Sequence, residues 1–201
     1  MAEIKPGLGY VDRVVTKAIT PTLPMWHALG ATPNALTTLG LLTSGACVFA
    51  LYRRSLVGAL LCLVMRWYFD YADGLLARKY GQTSVVGDWY DHIVDVCFSA
   101  GIVGVFVCAR YPTRVKVPLV GTLVVFFALF MVQMGCIERA YRATGGAAGR
   151  EETSISRLRA LCPPPGIGVR IIDAFDNGTL YIVMGVAIAV MCRQEAQAAR
   201  G

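Results

Sequence analysis

Four aspartates lie between positions 70 and 95, where two apolar segments meet, and their spacing could bind divalent cations. Asp70 and Asp73 are three residues apart, and Asp91 and Asp95 are four residues apart. If both segments are helical, each pair of carboxylates lies on one face of its helix. Two such faces turned toward each other would need a positive counter-charge. Ligands that are all oxygen favour Mg²⁺ or Mn²⁺, so we expect these four aspartates to form a metal site.

The aspartates are part of a longer pattern, D-x2-D-G-x2-A-R-x8-G-x3-D-x3-D, which adds Gly74, Ala77, Arg78 and Gly87. This pattern resembles the signature of the CDP-alcohol phosphotransferase family, membrane enzymes that make phospholipids from CDP-activated alcohols. Every fixed position of that signature is matched, including the gap of eight residues. A chance match of this specificity is expected in roughly one of 10¹⁰ windows at average composition.

The resemblance implies a reaction and its reactants. The acids would hold two Mg²⁺ or Mn²⁺ ions, which would neutralise the pyrophosphate of the donor. Asp95 would accept the proton of the acceptor hydroxyl, and CMP would leave. The donor would be CDP-diacylglycerol or another CDP-alcohol, and the acceptor a small alcohol or diacylglycerol. The resemblance also implies a homodimer.

The other residues of the pattern suit a nucleotide site. Gly74 and Ala77 leave room for a nucleotide to approach the backbone, and Gly87 does the same on the facing segment. The alternative for the glycines is ordinary packing of small residues between helices. Arg78 offers a fork of donors that suits a phosphate. The resemblance also implies a place near the nucleotide for Asn34, which precedes the first apolar run. Thr32-Pro33-Asn34 also follows the pattern of a helix start, so plain helix capping explains Asn34 equally well.

Three further arginines have two interpretations each. Arg66 lies inside an apolar run, four residues before Asp70, so it either pairs with that acid or faces a neighbouring loop. Arg139 and Arg142 follow a later run and are candidates for binding an anionic acceptor. The alternative for these two is that they only set the orientation of the chain in the membrane.

The composition indicates an integral membrane protein of one domain. The chain has 201 residues, of which 56% are hydrophobic, and its mean hydropathy is +0.55. The net charge of +6 comes from basic residues that cluster at the ends of apolar runs. Residues in such places meet lipid head groups, so we expect membrane lipid as a partner and no nucleic acid.

The order of apolar runs predicts an all-α bundle. Residues 8–28 are too interrupted to span and predict an amphipathic helix in the membrane interface. We therefore divide the chain into an interfacial segment, 1–30, and a transmembrane domain, 31–201. The family resemblance implies six membrane helices, so residues 153–176 either contain a short polar helix or the chain is a trimmed version. Five helices are clear from the sequence, at about 35–52, 55–79, 86–109, 117–136 and 167–192.

Loop length and charge indicate the orientation of the motif. The short loop 79–84 makes the second and third helices an antiparallel hairpin whose acidic ends meet. More Lys and Arg residues lie on the motif's side, which predicts a site that faces the cytosol. The endoplasmic reticulum and a bacterial inner membrane both fit. The N-terminus lacks the apolar stretch of a cleavable signal peptide.

We assign no function to the cysteines or to a glycosylation sequon. Asn177-Gly178-Thr179 fits the sequon, but it lies in a helical segment and is expected to be unused. The cysteines are odd in number and form no CxxC pair, so small buried hydrophobes are expected rather than disulfides or a zinc site. They are Cys47, Cys62, Cys97, Cys108, Cys136, Cys162 and Cys192.

Two other functions compete with the transferase. An ion or proton carrier could use the same carboxylates, but carriers distribute charged or broken helices along a path, often in repeated halves. This chain gathers four acids at one end of one hairpin and shows no repeat. A catalytically dead scaffold would be expected to have lost at least one motif acid, and none is missing.

Overall fold

The computed structural model describes residues 7–143 and 156–198, and every regular element in these ranges is helical. This confirms the predicted all-α fold class. The α-helices are α1 (Tyr10–Ile19), α2 (Leu23–Ala28), α3 (Pro33–Tyr52), α4 (Leu56–Lys79), α5 (Val85–Cys108), α6 (Thr113–Ala143), α7 (Ile167–Ile172) and α8 (Asn177–Ala198). Two 3₁₀ helices lie at Thr20–Thr22 and Ser156–Leu161.

Five of the described helices are 20 residues or longer. By length and composition, α3, α5, α6 and α8 can each cross a membrane. The fifth, α4, has 24 residues but carries Arg66, Asp70 and Asp73 within its apolar sequence. In the described part of the segment 153–176, the structure has only the second 3₁₀ helix and α7. Each has six residues, which is too short to cross the hydrocarbon core.

Serine and threonine caps fix where three long helices begin. The hydroxyl of Thr32 accepts a hydrogen bond from Ala35 N at the start of α3, and Pro33 is the first residue of that helix. The cap of α4 is Ser55, and the cap of α5 is Ser84. Each cap satisfies a backbone N–H that has no partner within its own helix. The helix start predicted at residues 32–34 is confirmed.

The long helices pack around two hydrophobic clusters. Helix α3 packs on α4 and α5, and α8 packs on α4 and α6. The larger cluster includes Leu51, Leu63 and Phe106, and it extends along the bundle as far as the cavity, where Phe98 and Tyr181 belong to it. The smaller one, which includes Leu36 and Leu76, lies close to the motif. These clusters fix the relative positions of the helices that carry the acids.

The N-terminal helices pack on the bundle. Helix α1 contacts α4 and α8, and α2 contacts α4. Helix α1 is amphipathic, with Tyr10 and Val14 exposed and Asp12, Thr16 and Ile19 buried. An inward-facing acid was not expected from the sequence. The interfacial placement and the division into 1–30 and 31–201 stay predictions.

One pair of cysteines corrects the sequence interpretation. Cys136 of α6 and Cys162 form a disulfide, so the expectation of unpaired cysteines is wrong for these two. The pairing depends on Gly135, because a side chain there would overlap the backbone of Leu158 in the second 3₁₀ helix. The missing side chain lets that helix lie directly on α6. The remaining five cysteines are free. Cys47 is buried as expected, whereas Cys97 and Cys108 are exposed, which corrects the expectation for these two.

Candidate active site

The acidic ends of α4 and α5 meet as the short loop predicts. Gly81 has a φ of +67°, a backbone conformation that favours glycine, and it ends α4. Ser84 then starts α5. Oxygens of Asp70, Asp91 and Asp95 all lie within 4.8 Å of one another. Three of the four predicted ligands are thus close enough to share a cation.

Asp73 occupies a different position from the other three acids. Its side chain is buried, and Oδ2 accepts a hydrogen bond from Thr37 Oγ1 of α3. It lies outside the three-oxygen group but still lines the same cavity. Its role as a metal ligand stays a prediction.

Arg66 is a member of the site that sequence reasoning left open. It is completely buried, and its Nη1 donates to Asp70 Oδ1 at 3.0 Å while its Nη2 donates to Asp95 Oδ1. Its guanidinium carbon also lies 5.9 Å from the centre of the Phe98 ring. Of the two interpretations, pairing with the acids is therefore the one that the structure adopts. The spacing from Asp70 was the available signal.

Asn177 is a residue of the site that the sequence interpretation missed. It begins α8, and its Nδ2 donates to Asp70 Oδ2 at 2.7 Å. Both oxygens of Asp70 are therefore hydrogen-bonded, one by Arg66 and one by Asn177. The sequence suggested only a glycosylation sequon at Asn177, because no neighbouring residue indicates a hydrogen-bond partner in α4.

The chemistry of the acidic group fits a divalent cation. Asp91 Oδ1 is buried and has no hydrogen-bond partner among the described residues. Such an oxygen is costly unless it binds a cation or water. In the part of the chain that the structure describes, the group offers oxygen ligands only, and the guanidinium of Arg66 lies against it. This donor set suits Mg²⁺ or Mn²⁺.

A cavity of about 420 Å³ opens beside the acids. Its size is in the range of small-molecule sites. The predicted metal and nucleotide residues all line it: Asn34, Asp70, Asp73, Gly74, Ala77, Arg78, Gly87, Asp91 and Asp95.

Two glycines allow close contacts at the cavity wall. A Cβ on Gly74 would lie 3.1 Å from Arg78 Nη1, so the guanidinium lies over the backbone of α4. A Cβ on Gly87 would lie 2.9 Å from both Asn34 Oδ1 and Ser84 Oγ. The amide of Asn34 in α3 therefore reaches the start of α5. This places two predicted nucleotide residues against each other.

Comparison with known proteins agrees with this arrangement. The sequence pattern described as CDP-alcohol phosphatidyltransferase matches residues 30–162. The chain belongs to this family. An archaetidylinositol phosphate synthase from Pyrococcus horikoshii is 33% identical over 75 residues, which cover 37% of this chain and 40% of that protein. The match thus spans about two fifths of the relative's length. No solved structure matches significantly.

The family match includes the two candidate acceptor arginines, and the structure separates them. Arg142 lines the cavity, where it donates to Glu138 Oε1 at 2.8 Å and to Ser156 Oγ at 3.0 Å. Arg139 points to the loop after the second 3₁₀ helix and donates to the carbonyls of Cys162 and Pro163. Of these two arginines, only Arg142 lines the cavity and can meet a ligand there.

Two parts of the site lie outside the range matched by the family. These are Asn177 and Asp12, an acid of α1 that lines the cavity. Asp12 Oδ1 accepts hydrogen bonds from the hydroxyl of Tyr71 and from Gly178 N. Burial, followed by the negative charge of Asp176, raises the pKa of Asp12 to about 6. An acid outside the motif therefore borders the cavity.

Proposed function

We propose that this protein is a phospholipid-synthesising membrane transferase. It moves a phosphatidyl or phosphoalcohol group from a CDP-linked donor to an alcohol and releases CMP. One observation carries the proposal: Asp70, Asp91 and Asp95 converge within 4.8 Å beside a cavity lined by every residue of the family pattern. Membership of the family supports the same reaction class.

The donor would bind with its pyrophosphate beside the acids. Divalent cations held by Asp70, Asp91 and Asp95, with Asp73 as a further ligand, would neutralise the pyrophosphate charge. Arg78 reaches the cavity from α4 and would donate hydrogen bonds to a phosphate. The small residues beside it leave the backbone open to the nucleotide.

Asp95 is the proposed base. Its side chain is 33% exposed, whereas that of Asp70 is 6% exposed, so an acceptor hydroxyl in the cavity can reach Asp95 more easily. The hydroxyl proton would pass to Asp95 as the oxygen attacks phosphorus. A new bond between that oxygen and phosphorus forms, and the bond from phosphorus to CMP breaks. Arg66 would hold the carboxylate in position through Oδ1.

The acceptor that we propose is a phosphorylated alcohol. The Pyrococcus relative is described as an archaetidylinositol phosphate synthase, which suggests an inositol phosphate as the first compound to test. Arg142 is the cavity residue suited to the acceptor phosphate, since its present partners, Glu138 and Ser156, hold it at the wall. Unphosphorylated inositol is the matched control substrate.

We also propose that the cavity faces the cytosol and that the protein is a homodimer. The excess of basic residues on the motif's side supports the orientation. The disulfide lies at the same end of the bundle, and its two cysteines, Cys136 and Cys162, are only 5% and 8% exposed. That burial limits access by cytosolic thiols. The dimer rests on the family resemblance alone.

Release of CMP by purified protein in detergent tests the reaction. CDP-diacylglycerol is offered with inositol phosphate, inositol, glycerol phosphate or serine, in the presence of Mg²⁺ or Mn²⁺. CMP that depends on the acceptor and disappears in Asp95→Asn supports the proposal. Glu195→Gln is the control, because it neutralises a buried carboxylate at the opposite end of α8.

Two failures of this experiment have different meanings. If no acceptor gives CMP, the reverse pairing of CDP-choline or CDP-ethanolamine with diacylglycerol is tested next. If that pairing also fails, the transferase proposal is overturned and the carrier alternative is tested. An Asp95→Asn variant with full activity would instead remove Asp95 from the role of base.

A further inference from the structure

Asp70 is held by a residue far from it in sequence. Asn177 Nδ2 donates to Asp70 Oδ2 at 2.7 Å, and Arg66 Nη1 donates to the other oxygen at 3.0 Å. With both oxygens engaged and the side chain only 6% exposed, the carboxylate has one favoured orientation. Without the amide of Asn177, Oδ2 would lose the hydrogen bond that fixes its direction.

The position of Asn177 is itself fixed by its two neighbours in sequence. Asp176 accepts hydrogen bonds from Val11 N at 2.7 Å and from Asp12 N at 3.0 Å, both in the first turn of α1. Gly178 N donates to Asp12 Oδ1 at 2.8 Å. Asn177 therefore lies between two residues that α1 anchors, which restricts movement of the start of α8.

A second link runs parallel to the first. The hydroxyl of Tyr71, the residue after Asp70, donates to Asp12 Oδ1, the atom that also accepts from Gly178 N. Asp70 of α4 is thus bonded directly to Asn177 of α8. The next residue, Tyr71, is linked through Asp12 to Gly178. The two links hold α4 and α8 in register beside the acids.

We propose that Asn177 is a positioning residue for the metal site, which acts by orienting Asp70 toward the cation. The inference rests on the proposed function, because it requires a divalent cation at Asp70, Asp91 and Asp95. Hydrogen bonds from neighbouring residues to metal-binding carboxylates commonly change metal affinity by about 10- to 100-fold. Asn177 is therefore expected to set the affinity for the cation rather than the binding of the CDP donor.

Binding of Mn²⁺ to the purified full chain, followed by electron paramagnetic resonance without substrate, tests this directly. Asn177→Ala removes the amide, and Asn177→Leu removes it while keeping a similar volume. Both variants are expected to bind Mn²⁺ about tenfold more weakly than the wild type. The concentration of Mn²⁺ for half-maximal release of CMP should rise by a similar factor, with KM for the CDP donor unchanged.

Thr179→Ala is the matched control, because Thr179 Oγ1 also bonds a carboxylate at the start of α8, that of Asp176, but not one of the metal acids. Its Mn²⁺ affinity should stay within about twofold of the wild type, well below the change expected for a residue that orients a ligand. Equal weakening in all three variants would overturn the inference, since the effect would then belong to the stability of α8.

Two other results would also overturn the inference. Wild-type affinity in both Asn177 variants would show that Asp70 needs no amide partner, and it would leave the proposed reaction intact. Absence of Mn²⁺ binding in the wild type would remove the metal site itself, and with it the role of Asn177. Asp91→Asn distinguishes the two results. It should weaken Mn²⁺ binding if the metal site exists and only the role of Asn177 is wrong, and it should change nothing if the site itself is absent.

Discussion

Asp12 and Asp176 each cap the helix of the other. The carboxylate of Asp176 accepts from Val11 N and Asp12 N at the start of α1, and that of Asp12 accepts from Gly178 N at the start of α8. Helix N-termini stabilise negative charge, which offsets part of the cost of burying two acids close together. This exchange attaches the N-terminal helix to the bundle beside the cavity.

The charge of Asp12 should make stability depend on pH. The pKa of Asp12 is raised to about 6 in the folded protein, so folding favours its protonated form. The contribution of Asp12 to the free energy of unfolding is therefore greatest at low pH, and it is lost as the pH rises from about 4 through about 6. The whole shift corresponds to at most about 3 kcal/mol. Asp12→Asn, which carries no charge, should lose this dependence.

Thermal unfolding in detergent measures the effect. Between about pH 5 and pH 7.5, the wild type should lose roughly 1 to 2 kcal/mol relative to Asp12→Asn. An identical pH dependence in the two proteins would show that the carboxylate of Asp12 does not titrate in this range.

Removing Arg66 should make the fold depend on a metal ion. Arg66 is the buried cation that pairs with Asp70 and Asp95, and leaving such acids without it typically costs about 3 to 5 kcal/mol. Arg66→Met keeps much of the volume but removes the charge. Its melting temperature should fall in chelator and should recover on addition of Mn²⁺ by more than the wild type gains.

Arg54→Met is the control for that experiment. Arg54 lies at the other end of the bundle, where it pairs with Glu195 and is 55% exposed. Its response to Mn²⁺ should match that of the wild type. If Mn²⁺ stabilises Arg66→Met no more than the wild type, a bound cation does not replace the charge of Arg66.

A methyl group at Gly87 should damage the site more than the fold. In Gly87→Ala the new Cβ would lie 2.9 Å from Asn34 Oδ1 and from Ser84 Oγ, so both side chains must move. Displacing the Ser84 cap costs about 1 kcal/mol. Displacing Asn34 also narrows the cavity, and we expect release of CMP to fall by more than about tenfold, beyond what that loss of stability explains.

Gly104→Ala lies in the same helix, and nothing lies within 4 Å of its new Cβ. It should be neutral or slightly stabilising, because alanine is the better helix former. Equal activity in the two variants would argue against a nucleotide site between Asn34 and Gly87.

The sequence predicted the parts of the site that depend on local spacing. A separation of four residues places Asp91 and Asp95 on one face of α5, and the short loop brings that face to Asp70. The start of α3 was equally accessible, because the cap at Thr32 and the proline after it are adjacent in sequence.

Contacts between distant segments could not be predicted in this way. Because Asp73 is three residues after Asp70, its side chain points about 60° away from that of Asp70 around the axis of α4. In that direction it meets Thr37 of α3, a contact that the spacing within α4 does not predict. The amide of Asn177 meets Asp70 because α8 packs on α4, and α1 contacts both helices. The sequence made Arg139 a candidate for binding the acceptor, but in the structure it donates a hydrogen bond to the carbonyl of Cys162.

The disulfide between Cys136 and Cys162 should stabilise the wall of the cavity that carries Arg142. The two cysteines are separated by 26 residues, and cross-linking a loop of this size contributes about 2 to 4 kcal/mol. The bond holds the second 3₁₀ helix on α6, where Ser156 contacts Arg142. Loss of the bond should therefore weaken use of a phosphorylated acceptor as well as stability.

Cys162→Ser tests this expectation, with Cys97→Ser as the control because Cys97 is free and exposed on α5. Denatured wild type should label at five cysteines before reduction and at seven after it. The melting temperature should fall in Cys162→Ser only, and KM for the phosphorylated acceptor should rise while KM for the CDP donor stays the same. Labelling of all seven cysteines without reductant would contradict the disulfide. A lower melting temperature with both KM values unchanged would show that the disulfide stabilises the fold but does not affect binding of the acceptor.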